Sequence, residues 1–388
     1  MLVYIIIFLY LTFLVVYYDI NCQNSRKKAN EILSVVVLVL LAGLRYQIGS
    51  DTLVYEDRFY MSSGLNTFFT DDWLLGREPL WALLNSAVLT WFKDFTYLQL
   101  LVAIPTNILL FRFFKKTTRK YFTALLITFV VIWWNYNFEI MREAFVASLY
   151  LNTLFLLKRK KYIIYVLASL PLLLLHRFAF VVIFLTPIFV LFKGKWLYTA
   201  LAVVTIWVFV FADISELNTV LVFMSGNMNE ELSDKMMSYA MSEGEGFHNM
   251  SFSLIGIIEL VLLKTVLPIL VIYSIRKEKE ADSFLSFYQS MVFLFILFSF
   301  ISLKLSIIGR FNNYIYPIFI VGIINLLYSK PIKTPVRLLA LVLTCMLMID
   351  GAYNFYRPTY NQKGKSYNTL HIPYKSVLNK KTHENIIY

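Results

Sequence analysis

YIIYVLASLPLLLLHRFAFVVIFLTPIFVLF, residues 162–192, holds two long apolar runs that meet at the pair His176-Arg177. Each run is long enough, once tilt and local thinning of the bilayer are allowed, to cross a hydrocarbon core of roughly 30 Å as a helix. Similar runs of about 15 to 23 residues recur along the whole chain. Hydrophobic residues make up 59% of the 388 positions and charged residues 15%, far from the balance of soluble domains. The sequence therefore predicts an integral membrane protein.

Clusters of lysine and arginine separate the apolar runs, and short cytoplasmic loops are enriched in these residues. The clusters lie at residues 26–28, 112–120, 158–161, 193–195, 276–279 and 330–337. Placing all of them inside the cell predicts an all-α, polytopic fold with about twelve transmembrane helices. These helices are predicted near residues 2–20, 31–44, 96–112, 121–136, 139–157, 162–175, 178–192, 196–212, 253–275, 284–303, 311–328 and 336–350.

The same assignment determines the remaining segments. Pro79–Phe92 is predicted as a re-entrant or interfacial helix, because counting it as a span would place the two densest basic loops outside. A single transmembrane domain, residues 1–350, is predicted with outer loops at about 45–95 and 213–250. A polar tail, residues 351–388, follows this domain, and both chain termini fall outside.

The net charge of +12 is distributed in short loops between apolar runs, which favours membrane lipid headgroups over nucleic acid as the partner. The sequence contains no Walker loop and no glycine-rich dinucleotide turn, so neither an energy-coupled pump nor a nucleotide cofactor is expected. The histidines are too scattered to predict a zinc site, and metal-free chemistry is expected. They are His176, His248, His371 and His383.

Arg45 ends the second predicted helix and is followed by the turn Gly49-Ser50-Asp51, with Tyr55 one helical turn further on. An ionisable side chain near or within a membrane is costly and is therefore a candidate for function. This segment places a guanidinium and a carboxylate near each other at the membrane surface. The alternative is that Arg45 snorkels to the interface and that Asp51 caps the following helix.

Two further charged groups are predicted on the outer side. Glu139, Arg142 and Glu143 open a predicted helix at spacings that place them on one face, either as site residues or as a self-compensating ion pair. Arg77 and Glu78 precede the re-entrant segment, where Glu78 can act in the site or only stabilise a helix N-terminus.

His176 and Arg177 lie at the outer end of a predicted helix. A histidine there can be neutral near pH 7 and accept a proton, or it can be an interfacial anchor. A later helix begins beside Arg310, and Asn313 and Tyr314 follow this arginine by three and four residues. This spacing places them on the same helical face, so the arginine is expected to have hydrogen-bonding neighbours.

Several arginines on different helices are thus predicted on one side of the membrane. Arginine binds phosphate through paired hydrogen bonds, and a diphosphate at a membrane surface needs several such donors. The pattern therefore predicts a lipid diphosphate as the ligand.

These residues resemble the motifs of the EpsG family of exopolysaccharide and O-antigen polymerases, over residues 1 to about 350. The family's motifs are an Arg-x-x-x-Gly-x-Asp-x-x-x-Tyr element, a Met-Arg-Gln helix entry, a histidine near a helix end and a late Arg-x-x-x-Tyr. The matching residues are Arg45, Gly49, Asp51, Tyr55, Met141, Arg142, His176, Arg310 and Tyr314. Glu143 departs from the pattern, which has glutamine at that place.

The resemblance implies a metal-independent glycosyltransferase without a cofactor, similar to other multi-helix enzymes that use lipid-phosphate donors. It would sit in the bacterial cytoplasmic (inner) membrane and transfer an oligosaccharide repeat unit from undecaprenyl diphosphate to another lipid-linked repeat unit at the extracytoplasmic face. The product would be capsule, exopolysaccharide or O-antigen. A flippase and a chain-length regulator of the same pathway would be its partners.

The resemblance also implies roles for individual residues. The departing diphosphate would be neutralised by Arg45, Arg142 and Arg310. The proton of the acceptor hydroxyl would be taken by His176, Asp51 or Glu139. Supporting positions would be Tyr55, Arg77, Glu78, Arg177, Asn313 and Tyr314.

Three other functions compete with polymerisation. An O-antigen ligase would use similar chemistry on a different acceptor, and a membrane O-acyltransferase would use His176 as a base with an acyl donor. A flippase or exporter would spread charges along a midplane cavity between repeated halves. Glu259 and Lys264 are the clear midmembrane ions, and on an ideal α-helix they lie about 140° apart, so no direct pairing is expected.

Overall fold

The computed structural model of the protein describes residues 1–68, 78–191, 203, 256, 258–277, 284–302, 306–356 and 371–379. Within these ranges the chain forms helices and turns, with an isolated antiparallel bridge between Arg45 and Ser376. The predicted span 196–212, apart from residue 203, lies outside the described residues, as do the loop 213–250 and Arg77.

Most of the helices follow the apolar runs of the sequence, and the largely polar Ser50–Tyr60 is an additional helix within the predicted outer loop 45–95. They are α1 Leu2–Leu14, α2 Lys27–Gly43, α3 Ser50–Tyr60, α4 Pro79–Phe92, α5 Phe95–Thr117, α6 Tyr121–Thr128, α7 Met141–Lys158, α8 Tyr162–Leu175, α9 Ala179–Leu191, α10 Leu267–Lys277, α11 Phe284–Ile301, α12 Phe311–Tyr328 and α13 Thr334–Tyr356. π-Helical stretches follow α1 (Val15–Ile20) and α6 (Phe129–Trp133 and Asn135–Glu139) and precede α10 (Glu259–Val266).

Four helical segments of the described chain are long and apolar enough to cross a membrane. They are Leu2–Ile20, Phe95–Thr117, Ile308–Tyr328 and Thr334–Tyr356. Large apolar side chains of α1 and α13, such as Leu9 and Ile349, are exposed, as expected for helices that face lipid. The protein is thus an all-α membrane protein. The helix α4 is present, and its re-entrant position stays a prediction.

The chain divides into two compact units, which are described separately. The first comprises residues 1–71, 79–176 and 345–388. In it, α5 packs against both α2 and α7. Asn107 of α5 donates to Asn137 Oδ1 at 2.8 Å and accepts a hydrogen bond from Trp133 Nε1 at 2.7 Å. Because these buried groups pair with one another, α5 is held in register with the π-helical stretches that follow α6.

The second unit comprises residues 72–78 and 177–344, and in it α12 packs against α10 and α11. Lys264 Nζ lies 2.7 Å from Glu259 Oε1, so the expectation that these residues do not pair is wrong. The reason is the local helix type. Glu259–Val266 is π-helical, and i to i+5 hydrogen bonding brings residues five apart onto the same side.

Candidate functional site

Arg45 follows α2 and turns into the interior of the first unit, where the residue is 1% exposed. Its Nη1 donates to the carbonyl of Ala42, and its Nη2 lies 3.3 Å from Thr52 Oγ1 and 3.6 Å from Met141 Sδ. The guanidinium carbon lies 5.7 Å from the ring centroid of Phe138. Arg45 therefore does not snorkel to the interface, because its head group is enclosed by protein.

The charge of Arg45 persists in this enclosure. Burial lowers the pKa of Arg45 to about 10, while Tyr374 and Glu139 act in the opposite direction. The guanidinium thus remains a cation at neutral pH. Burial raises the pKa of the Tyr374 phenol to about 12, although the nearby charge of Arg45 lowers that pKa. Both groups therefore hold their protons across the physiological range, and the site contains a permanent buried positive charge.

The glycine of the Arg-x-x-x-Gly-x-Asp element permits a close backbone contact. Gly49 has a φ of +98°, and a Cβ built on it would lie 2.3 Å from the carbonyl oxygen of Phe138. Three residues later, Thr52 Oγ1 donates to the same carbonyl at 2.7 Å. The start of α3 is therefore packed directly on the π-helical stretch Asn135–Glu139, and only glycine fits at the point of contact.

Gly49→Ala is expected to destabilise the first unit by about 1–3 kcal/mol, because the new Cβ meets backbone at a φ that alanine rarely adopts. The apparent Tm of the purified protein in detergent should fall by several degrees. Gly64→Ala is the matched control, since its Cβ would lie 3.6 Å from Thr90 Oγ1, an ordinary contact. Equal Tm values for the two variants would contradict this account of Gly49.

Glu139 lies in the last π-helical turn before α7, which begins at Met141. The backbone N–H of Asp51, in the first turn of α3, donates to Glu139 Oε2 at 3.1 Å. A carboxylate at a helix N-terminus is favoured by the helix dipole. The structure thus brings Asp51 and Glu139 together, and Glu139 serves as a cap for α3.

The predicted helix 139–157 is wrong at its start. Ile140 has φ −102° and ψ 41°, which ends the π-helical stretch and places Glu139 outside α7. Glu139, Arg142 and Glu143 therefore do not share one helical face as expected, and their described contacts involve different parts of the first unit.

His371 is a site residue that lies outside the motifs predicted from the sequence. Its Nε2 lies 2.8 Å from Glu139 Oε1, and its ring is stacked on Phe138 at a centroid distance of 6.2 Å. The rings of Trp134 and Phe355 lie 5.9 and 5.1 Å away. Glu139 therefore bridges the start of α3 and a histidine that is distant in sequence.

Residues 371–379, here called the C-terminal strap, dock on the turn that carries Arg45. Tyr46 N donates to Lys375 O and Val377 N donates to Leu44 O, both at 2.9 Å. Two tyrosine hydroxyls anchor the same segment: Tyr374 donates to Leu41 O at 3.0 Å, and Tyr4 donates to His371 O at 2.9 Å. The available sequence signal was the aromatic and apolar run His371-Ile-Pro-Tyr within an otherwise polar tail.

Arg142 lies in the first turn of α7, half-buried, with its guanidinium carbon 5.9 Å from the ring centroid of Trp81 on α4. Tyr55 of α3 approaches the same ring edge-on, with centroids 6.0 Å apart. Trp81 therefore connects two residues of the predicted site, Arg142 and Tyr55. A cation over an indole face is held in a defined position by the ring's negative quadrupole.

His176 follows the last residue of α8, and its Nε2 lies 3.8 Å from Glu143 Oε2. Both side chains are 5% exposed. This pair is therefore enclosed in the first unit. Arg177, the predicted neighbour of His176 in the site, is exposed and belongs to the second unit.

The second unit also contains the late arginine motif. Arg310 ends a short 3₁₀ turn before α12 and is exposed, whereas Asn313 is half-buried and Tyr314 is 1% exposed. The arginine thus reaches the surface of its unit while the tyrosine packs inside. Glu78, immediately before α4, is half-buried.

An apolar groove of about 230 Å³ lies in the first unit among α1, the π-helical segment that follows α6, and the end of α13. It is lined by Tyr4, Ile5, Phe8, Phe129, Val130, Trp133, Trp134, Ala352, Phe355 and Tyr356. Tyr4, Trp134 and Phe355 contact the C-terminal strap at His371 as well. The groove therefore adjoins the Glu139–His371 pair.

These features define a class: an all-α membrane protein with a buried arginine, a carboxylate–histidine pair and an apolar groove beside them. The class alone does not give a reaction. The chain belongs to the EpsG family, whose family model matches residues 31–376 and therefore includes the C-terminal strap as far as Ser376. Membership implies an exopolysaccharide-related, polymerase-like membrane protein. Comparison with curated proteins and with solved structures found no match.

Proposed function

We propose that the protein is a multi-pass polymerase of the bacterial inner membrane, with about twelve transmembrane helices. It transfers an oligosaccharide from undecaprenyl diphosphate to another lipid-linked repeat unit at the extracytoplasmic face. The observation that carries this proposal is the cluster of the ionisable side chains Arg45, Glu139 and His371 next to the apolar groove. A lipid-linked sugar has the matching parts: an apolar chain, a polar reacting centre and an anionic leaving group.

The groove is the proposed site for part of the polyisoprenoid chain. Its walls come from α1 and α13, whose outer faces are apolar and exposed, so a lipid can enter from the bilayer side. Aromatic rings such as Trp133, Trp134 and Phe355 give large apolar contact areas, and the indole N–H of Trp133 is already bonded to Asn107 Oδ1. This placement brings the lipid's head group toward the end of the groove at which His371 lies.

Arg142 is the proposed diphosphate ligand of the first unit. It is half-buried, and its guanidinium is held over the ring of Trp81, which orients it. The enclosed Arg45 is proposed to act without touching the diphosphate. Its hydrogen bonds fix the turn that carries Asp51, and its positive charge offsets the negative charge of Glu139. Negative charge develops on the diphosphate as it leaves, and a preoriented cation stabilises it.

Arg310 has the exposure that a phosphate ligand needs and matches the family's late motif. Its part in the reaction, with Asn313 and Tyr314 in support, stays a proposal based on that motif. The chain-length regulator and the flippase of the pathway are proposed as partners.

Arg142→Ala is expected to shift surface polysaccharide from long chains to single repeat units, with about a 100-fold loss of polymer, because one cationic donor to the leaving group is removed. Chain length is measured on gels from cells that lack the native copy, with membrane protein levels compared by immunoblot. Arg142→Lys should restore only part of the polymer, since an ammonium lacks the paired donors.

Arg112→Ala is the matched control, because Arg112 is an exposed arginine near the end of α5, in a basic cluster predicted to face the cytoplasm. It should leave chain length unchanged. If deletion of the protein instead traps repeat units on the inner leaflet, the exporter function replaces the polymerase. If single units reach the surface and only polymer is lost, the polymerase is supported.

A further inference from the structure

Two carboxylate–histidine pairs occur in the described part of the first unit, and they differ in access. The side chains of His371 and Glu139 are 17% and 14% exposed, with their polar atoms 2.8 Å apart. Those of His176 and Glu143 are both 5% exposed, and their atoms are 3.8 Å apart. A general base must come within hydrogen-bond reach of a substrate proton, so exposure favours the His371 pair.

The hydrogen bond to Glu139 determines which nitrogen of His371 is available. An ionised carboxylate only accepts, so His371 Nε2 carries the proton and donates to Glu139 Oε1. Nδ1 then has a lone pair, and within the described residues no hydrogen bond is made to it. Glu139 is itself held through Oε2 by the N–H of Asp51 at 3.1 Å. The pair therefore has the arrangement of a base oriented by an anchored acid.

The imidazole is also fixed in its plane. The ring of Phe138 is stacked on the imidazole at an interplanar angle of 24°. The ring of Phe355 is tilted from the imidazole plane by 42°, and that of Trp134 meets the imidazole edge-on at 78°. The backbone of His371 is tied to α1 through Tyr4. A side chain with both its ring and its backbone fixed loses little freedom on reaching the transition state.

We propose that His371, delivered by the C-terminal strap, is the catalytic base of the transfer and that Glu139 orients it and stabilises its protonated form. This inference rests on the proposed polymerase function. In the step, the acceptor hydroxyl oxygen forms a bond to the anomeric carbon of the donor sugar. The bond from that carbon to the diphosphate oxygen breaks, and its electron pair leaves with the diphosphate. The hydroxyl proton passes to His371 Nδ1.

The test uses the full-length protein in lipid nanodiscs with a synthetic polyprenyl diphosphate-linked repeat unit, and polymer is measured over time. His371→Gln keeps an N–H for Glu139 but cannot take a proton, so kcat should fall about 10²- to 10⁴-fold with little change in KM. Glu139→Gln should lower kcat by roughly 10- to 100-fold, because it removes the orienting charge and leaves one acceptor oxygen where Asp51 N–H and His371 Nε2 use two. Both variants should melt within a few degrees of the wild type.

Leu378→Ala is the control within the same segment, since this side chain is 77% exposed and should not affect kcat. If the wild type polymerises and His371→Gln retains kcat within threefold, the assignment of the base is overturned while the polymerase function stands. Loss of kcat in His176→Gln without loss in His371→Gln would also overturn it and name His176 instead. If the wild type makes no polymer from this donor, the proposed function itself fails.

Discussion

Truncation after residue 370 is expected to abolish polymer formation while the protein still inserts into the membrane. The truncated chain lacks His371 and the whole C-terminal strap, so Glu139 loses its partner at 2.8 Å and Leu44 and Tyr46 lose their backbone partners. Loss of the catalytic base alone lowers the rate of transfer by about 10²- to 10⁴-fold. The turn at Arg45, which loses its contacts with the strap, adds to that loss. Surface polysaccharide should therefore consist of single repeat units.

A second truncation separates this effect from a general sensitivity of the chain end. A chain that ends at residue 379 keeps every described contact of the strap and should make polymer of normal length. Both truncated proteins are quantified in isolated membranes. If the chain ending at residue 370 still produces long polymer, the strap has no part in the reaction.

The strap also shows where prediction from sequence reaches its limit. Its docking depends on backbone hydrogen bonds between residues 44–46 and 375–377, which are separated by most of the chain. Hydrophobic periodicity carries no information on such pairing, and the tail is polar on average. Residues 351–388 were predicted only as a polar tail, and the described strap within them belongs to the first unit and pairs with the backbone at Arg45.

The helices themselves were predictable because membrane insertion imposes long apolar runs. The predicted helix 311–328 coincides with α12 and the predicted helix 162–175 with α8, and of these two it is α12 that lies in a segment long and apolar enough to cross a membrane. Local helix type was not predictable from the same signal. π-Helical turns moved Glu139 out of α7 and brought Glu259 to Lys264, and in both places α-helical spacing led to the wrong expectation.

The candidate site was predictable in part. The motif residues Arg45 and Asp51 and the predicted base Glu139 lie in one cluster, which the pattern of charges near helix ends indicated. The burial of Arg45 was not indicated, because an arginine that ends a helix most simply reaches the interface. Its partners come from α2, α3 and α7, and packing of three elements decides its position.

Arg45→Lys is expected to lower polymerisation by about 100-fold although the charge is retained, because a displaced turn misplaces Asp51 and, with it, Glu139. The two contacts come from two nitrogens, Nη1 to Ala42 O and Nη2 to Thr52 Oγ1, and the shorter lysine side chain lacks the planar fork that places both. An acceptor left unsatisfied in the interior costs about 1–3 kcal/mol, so the apparent Tm should fall by several degrees. Arg26→Lys is the control, since Arg26 is an exposed arginine of the same unit. Wild-type kcat and Tm in Arg45→Lys would mean that only the charge at this position matters and that the fork geometry does not.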